Sequence, residues 1–195
     1  MSLQQARETT AIRTTFFSMA SHLVLAVVKF LAGFFGHSHA LIADAIESAT
    51  DFFSSLLVYL GFKYTSRPAD ENHPYGHGKA EPLITFIVVG FLIISAIIIV
   101  VRSIHYIQTP HQLPAPFTLV VLVIIIGLKE LSFRFVKKKS AETKSISLKA
   151  DAWHHRSDAF TSVAPFIGIS IALIMGPGWE SADDWAALFA AGIIL

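Results

Sequence analysis

Two pairs of potential metal ligands have the spacing of one helical turn. Glu47 and Asp51 lie four residues apart in one apolar segment, and His154 and Asp158 lie four apart in another. At 3.6 residues per turn, the two members of each pair share one helix face. Two such helices packed together would offer four oxygen or imidazole ligands, which is enough to enclose a four-coordinate metal ion.

The donor types in this quartet suit a divalent ion of borderline or hard character. One histidine and three carboxylates favour Zn²⁺, Mn²⁺, Fe²⁺ or Co²⁺. The chain has no cysteine and three methionines, which argues against Cu⁺ as the ion. Each of the four could instead be a structural polar group bonded to a neighbouring helix. Two pairs of matching spacing inside apolar segments favour a functional site, because ionisable groups are costly there.

The charge of the quartet indicates what such a site could do. Three ionised carboxylates exceed the charge of one divalent ion, and an empty site in a low-dielectric interior cannot hold all three negative charges. Protons should therefore occupy the empty site, on the carboxylates and on His154, and metal binding should displace them. A site that holds either metal or protons, and that opens alternately to two sides, would make the protein a metal/proton antiporter.

Two neighbouring residues are rivals for places in the quartet. Asp44 precedes Asp51 by seven residues and shares its helix face, so it could replace Glu47 as a ligand or act as a gate. His155 follows His154 directly but projects about 100° away around the helix. We therefore expect His154 to be the ligand and His155 to be the secondary candidate.

Composition places these residues in an integral membrane protein. Of the 195 residues, 53% are hydrophobic and 15% are charged, whereas soluble domains carry about 25% charged residues. The mean hydropathy is +0.59. A net charge of +1 gives no reason to expect a nucleic-acid partner.

Six apolar segments predict an all-α bundle of six transmembrane helices. They cover roughly residues 16–35, 40–62, 83–104, 117–135 and 150–175, and the sixth begins near Trp185. The first five are long enough to cross a bilayer as helices. The sixth stops after about 11 apolar residues, which suggests that the chain is a fragment. The connections on one side of the predicted bundle carry basic residues and those on the other side carry none, which places the N-terminus in the cytoplasm. The basic residues of that side are Arg7, Arg13, Lys63, Arg67, Lys79, Arg134, Lys137, Lys138, Lys139, Lys144 and Lys149.

Two stretches of sequence resemble the cation diffusion facilitator family of zinc exporters. One is the loop P-A-D-E-N-H-P-Y-G-H-G-K-A-E at residues 68–81, and the other is the helix start A-D-A-W-H-H-R-S-D at residues 150–158. The resemblance implies a homodimer in the inner (cytoplasmic) membrane. Each protomer would have six transmembrane helices followed by a cytoplasmic ferredoxin-like domain, which is absent from this chain.

The same resemblance implies two metal sites. Glu47, Asp51, His154 and Asp158 correspond to the family's transport site, although the family usually has Asp where this chain has Glu47. Asp70, His73 and His77 correspond to a second site in the cytoplasmic loop, where Zn²⁺ could serve as a structural ion. Without the resemblance, these three residues could equally be ordinary polar residues of a solvated loop.

The resulting functional prediction is proton-coupled efflux of divalent cations, with Zn²⁺ as the first choice of substrate. Export of Mn²⁺, Fe²⁺ or Co²⁺ by the same fold is one alternative, and a membrane metal sensor that does not transport is another. An intramembrane hydrolase is disfavoured because the sequence has no H-E-x-x-H motif. Four protein ligands would also leave no open position for water at the metal. We therefore expect a transporter and not an enzyme.

Overall fold

The described part of the protein is helical. The computed structural model describes residues 3–65, 74, 80–109 and 112–194, and within these ranges there is no strand. The helices are α1 (Leu3–Phe35), α2 (His39–Thr65), α3 (Ala80–Ile107), α4 (Phe117–Thr143), α5 (Ile146–Thr161), α6 (Val163–Met175) and α7 (Ser181–Ile194). The prediction of an all-α fold is confirmed.

The fifth predicted segment is divided into two helices at Ser162. Pro165 lies three residues beyond this junction. Proline has no backbone N–H, and its ring clashes with the carbonyl group four residues earlier, which here belongs to Thr161, the last residue of α5. Ser145 caps the N-terminus of α5, because its side chain accepts a hydrogen bond from the Leu148 N–H at 3.2 Å.

Three stretches of helix are long and apolar enough to cross a membrane: Thr9–Phe35, Pro82–Ile107 and Leu148–Met175. The sequence prediction expected five such segments. Helices α2 and α4 are also long, with 27 residues each. Charged residues lie along both of them, including Asp44 in α2 and Lys129 in α4, and both of these are buried.

The outside of the bundle is apolar, whereas much of its interior is polar or made of small residues. Large side chains such as Phe34, Phe86 and Ile174 are exposed. One core cluster consists mainly of alanines, with Ala40, Ala43, Ala187 and Ala191 around Ile99. This distribution suits a lipid environment, where small residues let helices approach closely and apolar side chains face outward.

Gly168 lies where α6 and α7 approach each other closely. A Cβ atom added at this glycine would lie 2.4 Å from Cβ of Ala186 and 2.8 Å from the carbonyl oxygen of Ala182. Helices α6 and α7 can therefore pack this closely only because residue 168 has no side chain.

Candidate metal centre

Three helices bring four potential ligands together in the bundle. His22 comes from α1, Asp51 from α2, and His154 and Asp158 from α5. Each residue offers one ligand atom, and these four atoms all lie within 4.8 Å of one another. The structure thus places three members of the predicted quartet in one cluster and adds His22 to them. We call His22, Asp51, His154 and Asp158 the central cluster.

Distances inside the central cluster are longer than hydrogen bonds. Nε2 of His154 lies 3.6 Å from Oδ2 of Asp51 and 3.8 Å from Oδ1 of Asp158. Nδ1 of His22 lies 3.8 Å from Oδ2 of Asp158. A metal ion about 2.0–2.2 Å from each ligand atom fits between atoms spaced in this way.

Three buried acceptor atoms of this cluster form no hydrogen bond with any described residue. They are Nδ1 of His22, Oδ2 of Asp51 and Oδ2 of Asp158. Buried polar atoms are normally satisfied, and an acceptor left without a donor is expensive. A bound cation would satisfy all three atoms at once, which is the chemistry that the sequence predicted for Asp51 and Asp158.

The cluster is open at one edge. The His154 side chain is 42% exposed, whereas the Asp51 and Asp158 side chains are 12% and 5% exposed. An ion approaching through this edge would meet His154 first and the deeper carboxylates afterwards.

A buried lysine that the sequence reading did not consider lies beside the cluster. Nζ of Lys129 in α4 is 3.3 Å from Oδ2 of Asp158, and the Lys129 side chain is 2% exposed. Lys129 lies in the apolar run V-V-L-V-I-I-I-G-L-K. An ionisable residue at such a position is a signal that the sequence did contain.

The rival ligand Asp44 is held by hydrogen bonds from other groups. Lys29 donates to its Oδ1 at 2.7 Å, and the Ser162 hydroxyl lies 3.2 and 3.1 Å from its two carboxylate oxygens. Lys29 also donates to Ser48 at 2.8 Å. Asp44 therefore links α1 and α2 to the junction of α5 and α6, and it is not among the residues whose ligand atoms form the central cluster.

Glu47 lies outside the central cluster. It is half-buried on α2, one turn before Asp51, and it is close enough to interact electrostatically with Asp44, Asp158 and Asp51. The structure thus places this predicted ligand next to the cluster but does not bring it within 4.8 Å of the other three predicted ligands.

The two adjacent histidines of α5 face different partners. His154 points toward Asp51, whereas His155 is fully buried against α1, with Nε2 2.8 Å from the Ser18 hydroxyl. Asp70, His73 and His77, the predicted ligands of the loop site, lie outside the described residues.

His22 and Lys129 are the two members of this region that the sequence reading missed. His22 gave no signal in the sequence, because it is a lone histidine in an apolar segment with no partner at helical spacing. Whether the His22 side chain lies beside Asp158 depends on how α1 is rotated about its axis relative to α5. That rotation is a property of the packing and not of local spacing.

Comparison with known proteins agrees with this architecture. Residues 15–195 match the family model described as the cation efflux transmembrane domain. The chain is 33% identical over 159 residues to the manganese efflux system protein MneS of Bacillus subtilis, covering 78% of this chain and 53% of that protein. It is 32% identical over 169 residues to the magnetosome protein MamM of Paramagnetospirillum magneticum, covering 83% and 51%.

A eukaryotic relative is similar to this chain to about the same degree. The mitochondrial metal transporter 2 of Saccharomyces cerevisiae is 30% identical over 220 residues, covering 100% of this chain and 45% of that protein. The chain therefore spans about half the length of these relatives.

Proposed function

Because this chain belongs to the cation efflux transmembrane domain family, we propose that it carries divalent metal cations across a membrane through the central cluster. The observation that carries the proposal is the set of three buried acceptors without hydrogen bonds on His22, Asp51 and Asp158. Three different helices contribute them, so a change in helix packing could open or close the ion's coordination.

The charges around the cluster support a divalent substrate. Four carboxylates (Asp44, Glu47, Asp51 and Asp158) and two ammonium groups (Lys29 and Lys129) interact in this region. With neutral histidines these six groups leave two negative charges, which one divalent cation neutralises, and Asp151 adds a further carboxylate close to His22. Glu47 contributes to this balance from its present position, and we propose that it joins the ligands when an ion is bound.

Zinc is the substrate that we propose first. The central cluster offers two imidazole nitrogens and two carboxylates, a donor set richer in nitrogen than the predicted one histidine with three carboxylates. Imidazole favours zinc over the harder manganese ion. Manganese is the second candidate, because one of the relatives, MneS of Bacillus subtilis, is named a manganese efflux system protein. Glu47 would move the site toward manganese if it replaced a histidine as ligand.

Exchange of the metal for protons is part of the proposal. When the ion leaves, the same two negative charges lose their compensation in a low-dielectric interior. Protons from water can restore neutrality, and metal binding then releases them again. The consequence is that metal movement in one direction would be coupled to proton movement in the other.

Three further elements of the proposal rest on the family resemblance. Asp70, His73 and His77 would hold a second ion, the protein would work as a homodimer in the cytoplasmic membrane, and a cytoplasmic domain would accompany the membrane domain. The alternation of basic and uncharged connections in the sequence supports a cytoplasmic N-terminus.

Metal flux in proteoliposomes tests the proposed function. The full-length protein would be assayed with Zn²⁺, Mn²⁺, Fe²⁺, Co²⁺ and Cd²⁺ outside and a pH indicator inside. We expect metal uptake with opposite proton movement, fastest for Zn²⁺, and loss of both signals in Asp158→Asn. Metal binding without flux would overturn transport and favour a membrane metal sensor. Flux without proton movement would overturn the exchange mechanism.

A further inference from the structure

A second group of potential ligands adjoins the central cluster. His22, Asp151 and His155 each offer one ligand atom, and these three atoms lie within 4.8 Å of one another. Asp151 precedes Asp158 by seven residues, so it lies two turns, or about 10 Å, closer to the start of α5. This group therefore extends from the central cluster toward the α4–α5 connection.

A hydrogen-bonded serine determines which nitrogen of His155 is available. The Ser18 hydroxyl donates its single proton to Oδ1 of Asp151 at 3.0 Å. It must therefore accept a hydrogen bond from Nε2 of His155, 2.8 Å away. With the proton on Nε2, the Nδ1 atom of neutral His155 carries a lone pair, which is the form that binds a metal ion.

The acceptor atoms of this second group are unsatisfied within the described ranges. Nδ1 of His155 and Oδ2 of Asp151 form no hydrogen bond there, and neither does Nδ1 of His22. His155 is 0% exposed and His22 is 2% exposed. If the Ser18 hydrogen bonds were purely structural, they would account for Nε2 of His155 and Oδ1 of Asp151. They would not account for the buried atoms that have no hydrogen bond, Nδ1 of His155 and Oδ2 of Asp151.

We propose that His22, Asp151 and His155 form a second position for a divalent cation, adjacent to the central cluster and sharing His22 with it. Two imidazoles and one carboxylate suit the borderline divalent metals. The inference rests on the proposed function, because it makes this position a step on the path of the transported ion.

Sharing His22 has a direct consequence for occupancy. The His22 ring stacks on His155 with centroids 4.5 Å apart and lies 5.4 Å from the His154 ring. A neutral imidazole has one lone pair, so His22 can bind one ion at a time. The two positions are therefore filled alternately, and His22 must redirect its lone pair as an ion passes between them.

Co²⁺ binding separates the two positions, because its visible absorption reports nitrogen and oxygen ligands. The test uses the full-length protein in detergent with His73→Ala and His77→Ala, which remove the predicted loop ligands. Into this background we introduce Asp51→Asn together with Asp158→Asn. We expect Co²⁺ to remain bound at His22, Asp151 and His155 with a changed spectrum.

Adding His155→Ala to that protein should weaken the remaining Co²⁺ binding at least about tenfold. Asp151→Asn keeps the shape of the side chain and should have the same effect if His155→Ala disturbs folding. His105→Ala is the matched control, because His105 is an exposed histidine of α3, and binding should be unchanged.

Two results would overturn the second position. One is a folded Asp51→Asn, Asp158→Asn protein that binds no Co²⁺, and the other is residual binding that neither His155→Ala nor Asp151→Asn weakens. Failure of the proposed function would appear differently, as normal zinc flux in the Asp51→Asn, Asp158→Asn protein.

Discussion

Nζ of Lys129 lies 3.3 Å from Oδ2 of Asp158, which makes this lysine the cation nearest to a proposed metal ligand. Lys129 and Asp158 form an ion pair, but Oδ2 of Asp158 has no hydrogen bond of good geometry with a described residue. Lys129 therefore compensates the charge of Asp158 while leaving its oxygen available. An ion that binds Asp158 has to compete with the ammonium group.

The first prediction follows from this competition. Lys129→Met should increase zinc affinity, because the competing cation is removed. It should also destabilise the metal-free protein by about 3–5 kcal/mol, since Asp158 is left as a buried, unpaired charge. Zinc titration and thermal unfolding with and without zinc measure both effects. Lys129→Arg keeps the charge and serves as control; equal zinc affinity in Lys129→Met and the wild type would contradict the competition.

The second prediction separates ligands from structural carboxylates. Asp51→Asn should abolish zinc transport without a large loss of stability, because it removes a charged ligand from the central cluster. Asp158→Asn should also abolish transport, and it should lower the stability as well because it leaves Lys129 without its buried partner. Asp44→Asn should instead lower the stability, since it leaves Lys29 without its buried partner. Flux and thermal unfolding are measured for all three variants. Wild-type flux in a folded Asp158→Asn protein would refute the site.

The third prediction concerns Glu47, which lies beside the central cluster. If this side chain joins the ligands when an ion is bound, Glu47→Ala should lower zinc affinity at least about tenfold. Glu47→Asp should retain transport with an altered ratio of Zn²⁺ to Mn²⁺ flux. Competition between the two metals in the flux assay measures this ratio. Normal transport by Glu47→Ala would remove Glu47 from the site.

The fourth prediction is the pH dependence of metal binding. Protons and metal ions compete for the carboxylates and imidazoles of the central cluster, so zinc affinity should fall as the pH is lowered from 8 to 6. Isothermal titration at pH 6, 7 and 8, in buffers of different ionisation enthalpy, measures the affinity and counts released protons. A flat affinity with no proton release would rule out exchange over this range.

The fifth prediction tests the close packing of α6 on α7. Gly168→Ala should destabilise the protein by about 1–3 kcal/mol, because the added methyl group would overlap Ala186 and the Ala182 carbonyl. Gly127→Ala is the control: a Cβ at that position has no neighbouring atom within 4 Å among the described residues. Thermal unfolding of the two variants gives the comparison. Equal unfolding temperatures would show that α6 and α7 can separate without cost.

Helical spacing and hydropathy were sufficient to predict most of the helices and three members of the central cluster. His154 and Asp158 share one face of α5, and Asp51 shares one face of α2 with Glu47. These relations follow from helical spacing alone, so they hold whatever the packing of the bundle. The division at Ser162 was missed, although Pro165 was visible in the sequence. The prediction of one continuous helix over residues 150–175 rested on the length and the hydropathy of the segment, and a single proline changes neither.

Residues that act alone on their helices could not be assigned in the same way. His22 and Lys129 have no partner at helical spacing, and their roles depend on which faces of α1 and α4 turn toward α5. The pairing of Asp44 with Lys29 likewise required the structure, because spacing placed Asp44 on the same face as Asp51 and made it an apparent rival ligand. Helix rotation, which is set by tertiary packing, decided between these readings.

The ion pair between Lys29 and Asp44 has a consequence for the biosynthesis of the protein. Lys29 belongs to α1 and Asp44 to α2, two helices that follow each other directly in the chain, and their side chains are 2.7 Å apart. A lone charge at the centre of a membrane helix costs about 2.5–3.5 kcal/mol on insertion, so this hairpin can enter the membrane with its charges already neutralised. Lys129 and Asp158 repeat the arrangement in α4 and α5, and each of the two hairpins can therefore be inserted without waiting for the other.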